Sequence, residues 1–113
     1  IAEVVSRHGM DAVIATNTTI SREEVAGMEH AEETGGLSGA PLKEKADRVL
    51  GELRKALPDD IAMIGVGGIT TGQDAVDKLK LGADLVQFYT GMVYRGPELV
   101  TECLQALAEY RGQ

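Results

Sequence analysis

Apolar residues along this chain switch repeatedly between helical spacing and short unbroken runs, and the switches divide it into alternating helices and strands. Val4, Val5 and His8 stand at helical spacing before Gly9, so residues 1–8 read as a helix tail stopped by a glycine. Asp11-Ala12-Val13-Ile14-Ala15-Thr16 is a short, nearly all-apolar run that suits a parallel strand covered on both faces, and its end is polar, Asn17-Thr18-Thr19. From there to Ala40 no period holds. A connection of that length in a compact domain is uncommon unless it has a function, and Gly35-Gly36-Leu37-Ser38-Gly39 supplies glycines that let backbone approach a ligand. Pro41 opens the next helix, with Ala46, Val49, Leu50, Leu53 and Leu57 on one face and Pro58 closing it. Ile61 to Val66 is a second buried strand. Thr70 or Thr71 caps a helix whose inward stripe is Ala75, Val76 and Leu79, and Gly82 ends it. Leu85 to Tyr89 is the third strand. A connector, Met92-Val93-Tyr94-Arg95, then leads past Gly96-Pro97 to a last helix with Leu99, Val100, Cys103, Leu104 and Leu107 turned inward.

Such alternation implies an α/β fold of parallel strands joined by right-handed crossovers, with no internal domain boundary. Two strand ends carry glycine: Ile64-Gly65-Val66-Gly67-Gly68 and Phe88-Tyr89-Thr90-Gly91. Neighbouring parallel strands that both end this way present bare backbone N–H groups to an anion, as the last two strands of a (β/α)8 barrel do at a phosphate site. The dinucleotide fingerprint fails here, because Thr70 stands where G-x-G-x-x-G needs its third glycine and no acidic residue follows at the expected strand end about 20 residues later.

The chain has 113 residues, whereas a complete barrel takes about 250. The whole of 1–113 therefore reads as a single partial domain. A net charge of −7 argues against a nucleic-acid backbone as partner. Arg48, Arg54, Lys55, Lys78 and Lys80 stand among acids and read as solvated helix faces. Cys103, the one cysteine, lies four residues from Leu99 and from Leu107, the position of a buried thiol. His8 and His30 have no partner at metal-ligand spacing, so no metal site is expected. No apolar run is long enough to cross a bilayer, and residues 1–8 lack a signal-peptide pattern.

Thr16-Asn17-Thr18-Thr19, the 35–39 glycine segment with Pro41-Leu42, Ile64-Gly65-Val66-Gly67-Gly68-Ile69, and Gly82-Ala83-Asp84 running through Tyr89-Thr90-Gly91 to Tyr94-Arg95-Gly96-Pro97 together resemble dihydroorotate dehydrogenase, in the family's order and at matching separations. The Asn-Thr-Thr and Arg-Gly-Pro forms are more similar to class 2, the quinone-dependent branch. The resemblance covers nearly the whole chain and the C-terminal third of the family, which would make these strands 6 to 8 of a TIM barrel. It implies an FMN enzyme of pyrimidine synthesis that oxidises dihydroorotate to orotate and passes electrons to a membrane quinone. Carried over by position, Thr16, Gly39, Gly68, Tyr89 and Thr90 hold FMN, and Asn17 and Thr18 hydrogen-bond the substrate. The residue chemistry agrees: an amide and hydroxyls at a strand end suit a planar carboxylate-and-amide ligand, and glycines admit a phosphate to the main chain.

The resemblance also places the serine base that takes the proton from C5, the lysines that meet flavin and substrate, and the helices of the quinone tunnel upstream of residue 1. Ser6, Ser21 and Ser38 do not sit in that serine's motif. No catalytic residue is therefore assigned in this chain, and alone it is expected to show no turnover. The full-length protein would lie peripherally on the cytoplasmic side of the inner membrane. Other readings of the residues stand beside this one. Asn17 fits a plain turn and Tyr89 a core aromatic with a satisfied hydroxyl, while Tyr94 and Arg95 fit the surface. The whole chain fits a non-catalytic structural or binding piece that packs against a partner, or a phosphate-binding barrel of lyase or isomerase type. Whichever holds, strands cut from a closed barrel leave two edges and an apolar face open, which favours self-association.

Overall fold

The computed structural model describes residues 1–17, 26–28 and 36–112. Their order is α1 (Ala2–Arg7), β1 (Ala12–Ala15), a 3-10 turn (Ala40–Leu42), α2 (Lys43–Ala56), β2 (Ala62–Val66), α3 (Gly72–Lys80), β3 (Leu85–Gln87), α4 (Thr90–Arg95) and α5 (Glu98–Arg111). The strands form one parallel sheet in the order β1-β2-β3, with Ile14 beside Ile64 and Ile64 beside Leu85. Two right-handed crossovers stepping the same way along a sheet put both connecting helices on one face. Ala15 and Met63 are buried beneath them, while Ile14 and Leu85 on the other face are 59% and 61% exposed. The parallel α/β class holds as expected. Cover on both faces does not: among the described residues only one face of the sheet carries helices.

Beneath α2 lies a core of Ala15, Leu50, Leu57, Ile61, Met63 and Ala83, and a second core between α3 and α5 holds Ile69, Ala75, Leu99 and Cys103. Full burial of one side chain such as Leu50 stabilises by about 2 kcal/mol. Thr71 is the cap of α3. Its side chain accepts the Asp74 N–H at 3.2 Å, and Asp74 accepts the Thr71 N–H at 3.0 Å, a reciprocal box that satisfies two end groups of the helix.

Several elements differ from the sequence reading. Pro41 opens a 3-10 turn rather than the helix itself, and α2 starts at Lys43. Strand β3 stops at Gln87, because the chain turns at Phe88 and Tyr89 into α4, which replaces the expected connector. Val49, Val100 and Leu104 are exposed, since α2 and α5 bury narrower stripes than their apolar residues offer. Lys78 is not on a solvated face. It is fully buried, for it stands three residues after Ala75, on the side of α3 that packs against β2 and α2.

Candidate functional site

At the C-terminal ends of the three strands a cleft of about 510 Å³ opens between the 38–39 segment and the strand ends. Thr16 and Asn17 follow β1 directly, and the pairing of β1 with β2 continues one residue further through the Thr16 N–H to the Val66 carbonyl, 3.0 Å. That bond carries Thr16 to the cleft rim beside the Gly67–Gly68 turn. Both residues line the cleft, together with Gly39, Gly68, Tyr89 and Thr90. The structure thus brings six of the seven residues assigned from sequence to one cavity; the seventh, Thr18, lies outside the described residues.

Steric necessity shapes the second strand's end. Gly67 has φ 120° and Gly68 φ 74°, a region L side chains rarely adopt. A Cβ on Gly67 would lie 2.7 Å from Ala46 Cβ, and one on Gly68 would run into the backbone of Lys43. The first turn of α2 therefore sits directly on this glycine pair. Gly39, at φ 80°, is less tightly enclosed, since its Cβ would stand 3.0 Å from the Thr90 Cγ2 methyl.

The third strand's end is held by polar contacts. Ser38 Oγ and Thr90 Oγ1 are hydrogen-bonded at 2.8 Å across the cleft, joining the 38–39 segment to the start of α4. Sequence reasoning passed over Ser38, and the only signal for it was its place between the glycines at 36 and 39. Thr90 and Gly91 open α4, whose first N–H groups have no acceptor within the helix. Tyr89 is 76% exposed, a rim residue rather than a core aromatic. Behind this end, Arg95 donates to the Thr70 carbonyl at 2.5 Å and to Glu102 Oε1 at 2.7 Å, while Glu102 Oε2 accepts the Gly72 N–H at 2.6 Å. Arg95's hydrogen bond and the Gly72 N–H hold the Glu102 carboxyl below the usual range. Tyr94 is 83% exposed, as expected of the surface.

None of the cleft's lining residues carries a charge. Hydroxyls at 16, 38 and 90, the Asn17 amide and the glycine backbone can bind an anion and a planar polar ligand, but the described wall offers no group that would take a proton at neutral pH. Cys103 is buried away from it with its thiol 3.8 Å from the Thr71 carbonyl, and burial pushes its pKa up, so it stays protonated and inert. No cluster of metal-ligating side chains occurs among the described residues, and none of their helices is long and apolar enough to cross a membrane.

Comparison with known proteins agrees along the whole chain. The family model for dihydroorotate dehydrogenase matches residues 1–110. Dihydroorotate dehydrogenase (quinone) of Paracidovorax citrulli is 61% identical over 107 residues, which cover 95% of this chain and 30% of that protein. The enzyme of the same name from Bordetella pertussis is 57% identical over 109 residues, 96% of this chain and 31% of the relative. Among solved structures, dihydroorotate dehydrogenase of Eimeria tenella in complex with ferulenol superposes with a TM-score of 0.89 at 42% identity, over 95% of this chain and 28% of that one. The chain thus spans about 30% of the length of the curated relatives it matches. The chain belongs to the dihydroorotate dehydrogenase family.

Proposed function

We propose that this chain forms the FMN-phosphate wall and part of the substrate wall of a quinone-dependent dihydroorotate dehydrogenase, as strands 6 to 8 of its TIM barrel. The observation that carries the reading is that Gly39, Gly68 and Thr90, with Thr16 and Asn17, face one uncharged cleft. An FMN phosphate suits that cleft: Gly39 and Gly68 put bare backbone on its wall, and the Ser38 and Thr90 hydroxyls meet there at 2.8 Å. Bound FMN would supply the two-electron acceptor for the oxidation of dihydroorotate to orotate.

The chain's own residues bind and orient. Gly39, Gly68, Tyr89 and Thr90 hold the phosphate end, chiefly by backbone N–H groups, and Ser38 adds a hydroxyl. Thr16, at the end of β1, would contact the flavin, while Asn17 and Thr18 would hydrogen-bond the substrate and fix its orientation. With no charged group on the described wall, the proton must leave to a base outside these residues. Alone, the 113 residues are expected to show no turnover. The quinone is reached through the N-terminal region of the whole enzyme, which sits peripherally on the cytoplasmic side of the inner membrane.

The test is to purify the full-length protein carrying this chain and its Asn17→Ala variant. Flavin absorbance with dihydroorotate-dependent quinone reduction is expected for the first, and retained flavin with dihydroorotate oxidation reduced at least about 100-fold for the second. A colourless full-length protein would instead favour the structural piece.

A further inference from the structure

The most unusual group in the chain is Lys78, a lysine with no exposed surface. Its stem lies on the backbone of β2, where a Cβ on Gly65 would stand 3.2 Å from Lys78 Cβ and Cδ. Its Nζ lies 2.5 Å from Asp47 Oδ1 on α2, an ionic contact whose angles fall outside hydrogen-bond geometry. The other oxygen of the same carboxylate, Oδ2, accepts from Lys43 Nζ at 2.8 Å, and Lys43 also donates to Asp77 Oδ2 at 3.1 Å. Asp47 is thus shared between a lysine in the last turn of α3 and the lysine that begins α2.

Lys43 is also the residue whose backbone seals Gly68, and Ala46, next to Asp47, seals Gly67. The first turn of α2 cannot lift from the glycine turn without breaking the Asp47–Lys78 contact and the Lys43–Asp77 hydrogen bond, which tie α2 to α3, while the Lys43–Asp47 pair within α2 braces these two anchors against each other. A buried ion pair is a poor device for stability alone, since well-packed apolar residues of similar volume often do as well or better; in some proteins what it adds is a fixed geometry. We propose that Asp47 is a positioning residue that, through Lys43 and Lys78, clamps the start of α2 onto Gly67–Gly68 and so sets the anion-binding shape of that turn. This rests on the reading of the cleft as the FMN-phosphate site.

The test uses the full-length enzyme stripped of flavin and measures affinity for FMN and for riboflavin, which lacks the phosphate, alongside thermal unfolding. Asp47→Asn is expected to weaken FMN about tenfold and riboflavin less than about twofold. Lys43→Met, which leaves Asp47 paired with Lys78, weakens FMN by about threefold. The double variant Asp47→Leu/Lys78→Met removes both buried charges, so it keeps the wild-type unfolding temperature while still losing FMN affinity, and it decides the matter if Asp47→Asn does not fold. Equal loss of FMN and riboflavin, or wild-type FMN affinity in the double variant, overturns the proposal. Failure of the wild type to bind either flavin would overturn the underlying reading of the cleft instead.

Discussion

The two glycine-bearing strand ends reach the same cleft by different physics. At the β2 end the glycines are enclosed: both have positive φ, and α2 occupies the space any side chain would need. At the β3 end Gly91 is enclosed too, since a Cβ there would run into the Ile69 carbonyl, but Tyr89 and Thr90 before it are open, with Tyr89 largely exposed and their geometry set by the Ser38–Thr90 hydrogen bond and the Arg95–Glu102 bracket. One end is shaped by packing, which acts within tenths of an ångström. At the other, Tyr89 and Thr90 are placed by polar contacts, which yield more gradually than packing does. Gly67 and Gly68 should therefore fail abruptly under substitution, and Tyr89 and Thr90 by degrees.

The hardest strike on the first end is Gly68→Ala. The new methyl meets the backbone of Lys43, which cannot rotate away, and the residue is held in a conformation alanine disfavours. We expect a loss of about 3 kcal/mol or more of stability and no retained flavin in the full-length protein, read by thermal unfolding and by absorbance. A yellow, normally stable Gly68→Ala protein would show that α2 yields easily and that the contrast between the two ends is not real.

At the second end, Thr90→Val removes one hydroxyl from the 2.8 Å contact and leaves Ser38 without that partner. The expected cost is about 1 kcal/mol in flavin affinity, or about fivefold, with little change in unfolding temperature and with Thr90→Ser close to wild type. A Thr90→Val effect as large as that of Gly68→Ala would place the β3 end in the same rigid class.

These two ends were unequally legible in the sequence. Gly67-Gly68 after an apolar run announces a turn where backbone must approach something, and the Thr71 cap and the stripe of Ala46, Leu50 and Leu57 follow from helical spacing. All are local signals. Ser38 stands 52 residues from Thr90, in a segment without periodicity, so nothing local pairs them. Lys78 was misread for a related reason. Lysine in a charged helix normally reports solvent, and only its position relative to Ala75 indicated the buried side, while its partner Asp47 lies on another helix. The open sheet face is a third case: the apolar run of β1 shows that both faces want cover, and Ile14 at 59% exposure shows which one lacks it here. The isolated chain should consequently self-associate in sedimentation, and Ile14→Lys/Leu85→Lys should return it toward monomer.

The smallest effect tests the bracket behind the β3 end. Arg95 and Glu102 are exposed enough for water to screen them, so Arg95→Met should weaken FMN binding by no more than about twofold. Its pH dependence is more telling. Arg95's hydrogen bond and then the Gly72 N–H lower the Glu102 pKa in the folded protein. A depressed carboxyl contributes stability that is fully present above its unfolded pKa and is lost as the pH falls through the folded one. Wild type should thus exceed Glu102→Gln in unfolding temperature at pH 7, and the difference should fade below about pH 4. Asp77 titrates in the same acid window: burial opposes its charge, but hydrogen bonds from Gln73 and Lys43 and the charges of Lys43 and Lys80 outweigh it and lower its pKa. It belongs to the α2–α3 side. Acid sensitivity that survives in Glu102→Gln but is reduced in Asp77→Asn would therefore assign the larger share of the loss to the packed end, where a small shift of α2 opens the glycine turn. The reverse pattern would mean that the polar end, not the packed one, governs how the cleft fails in acid.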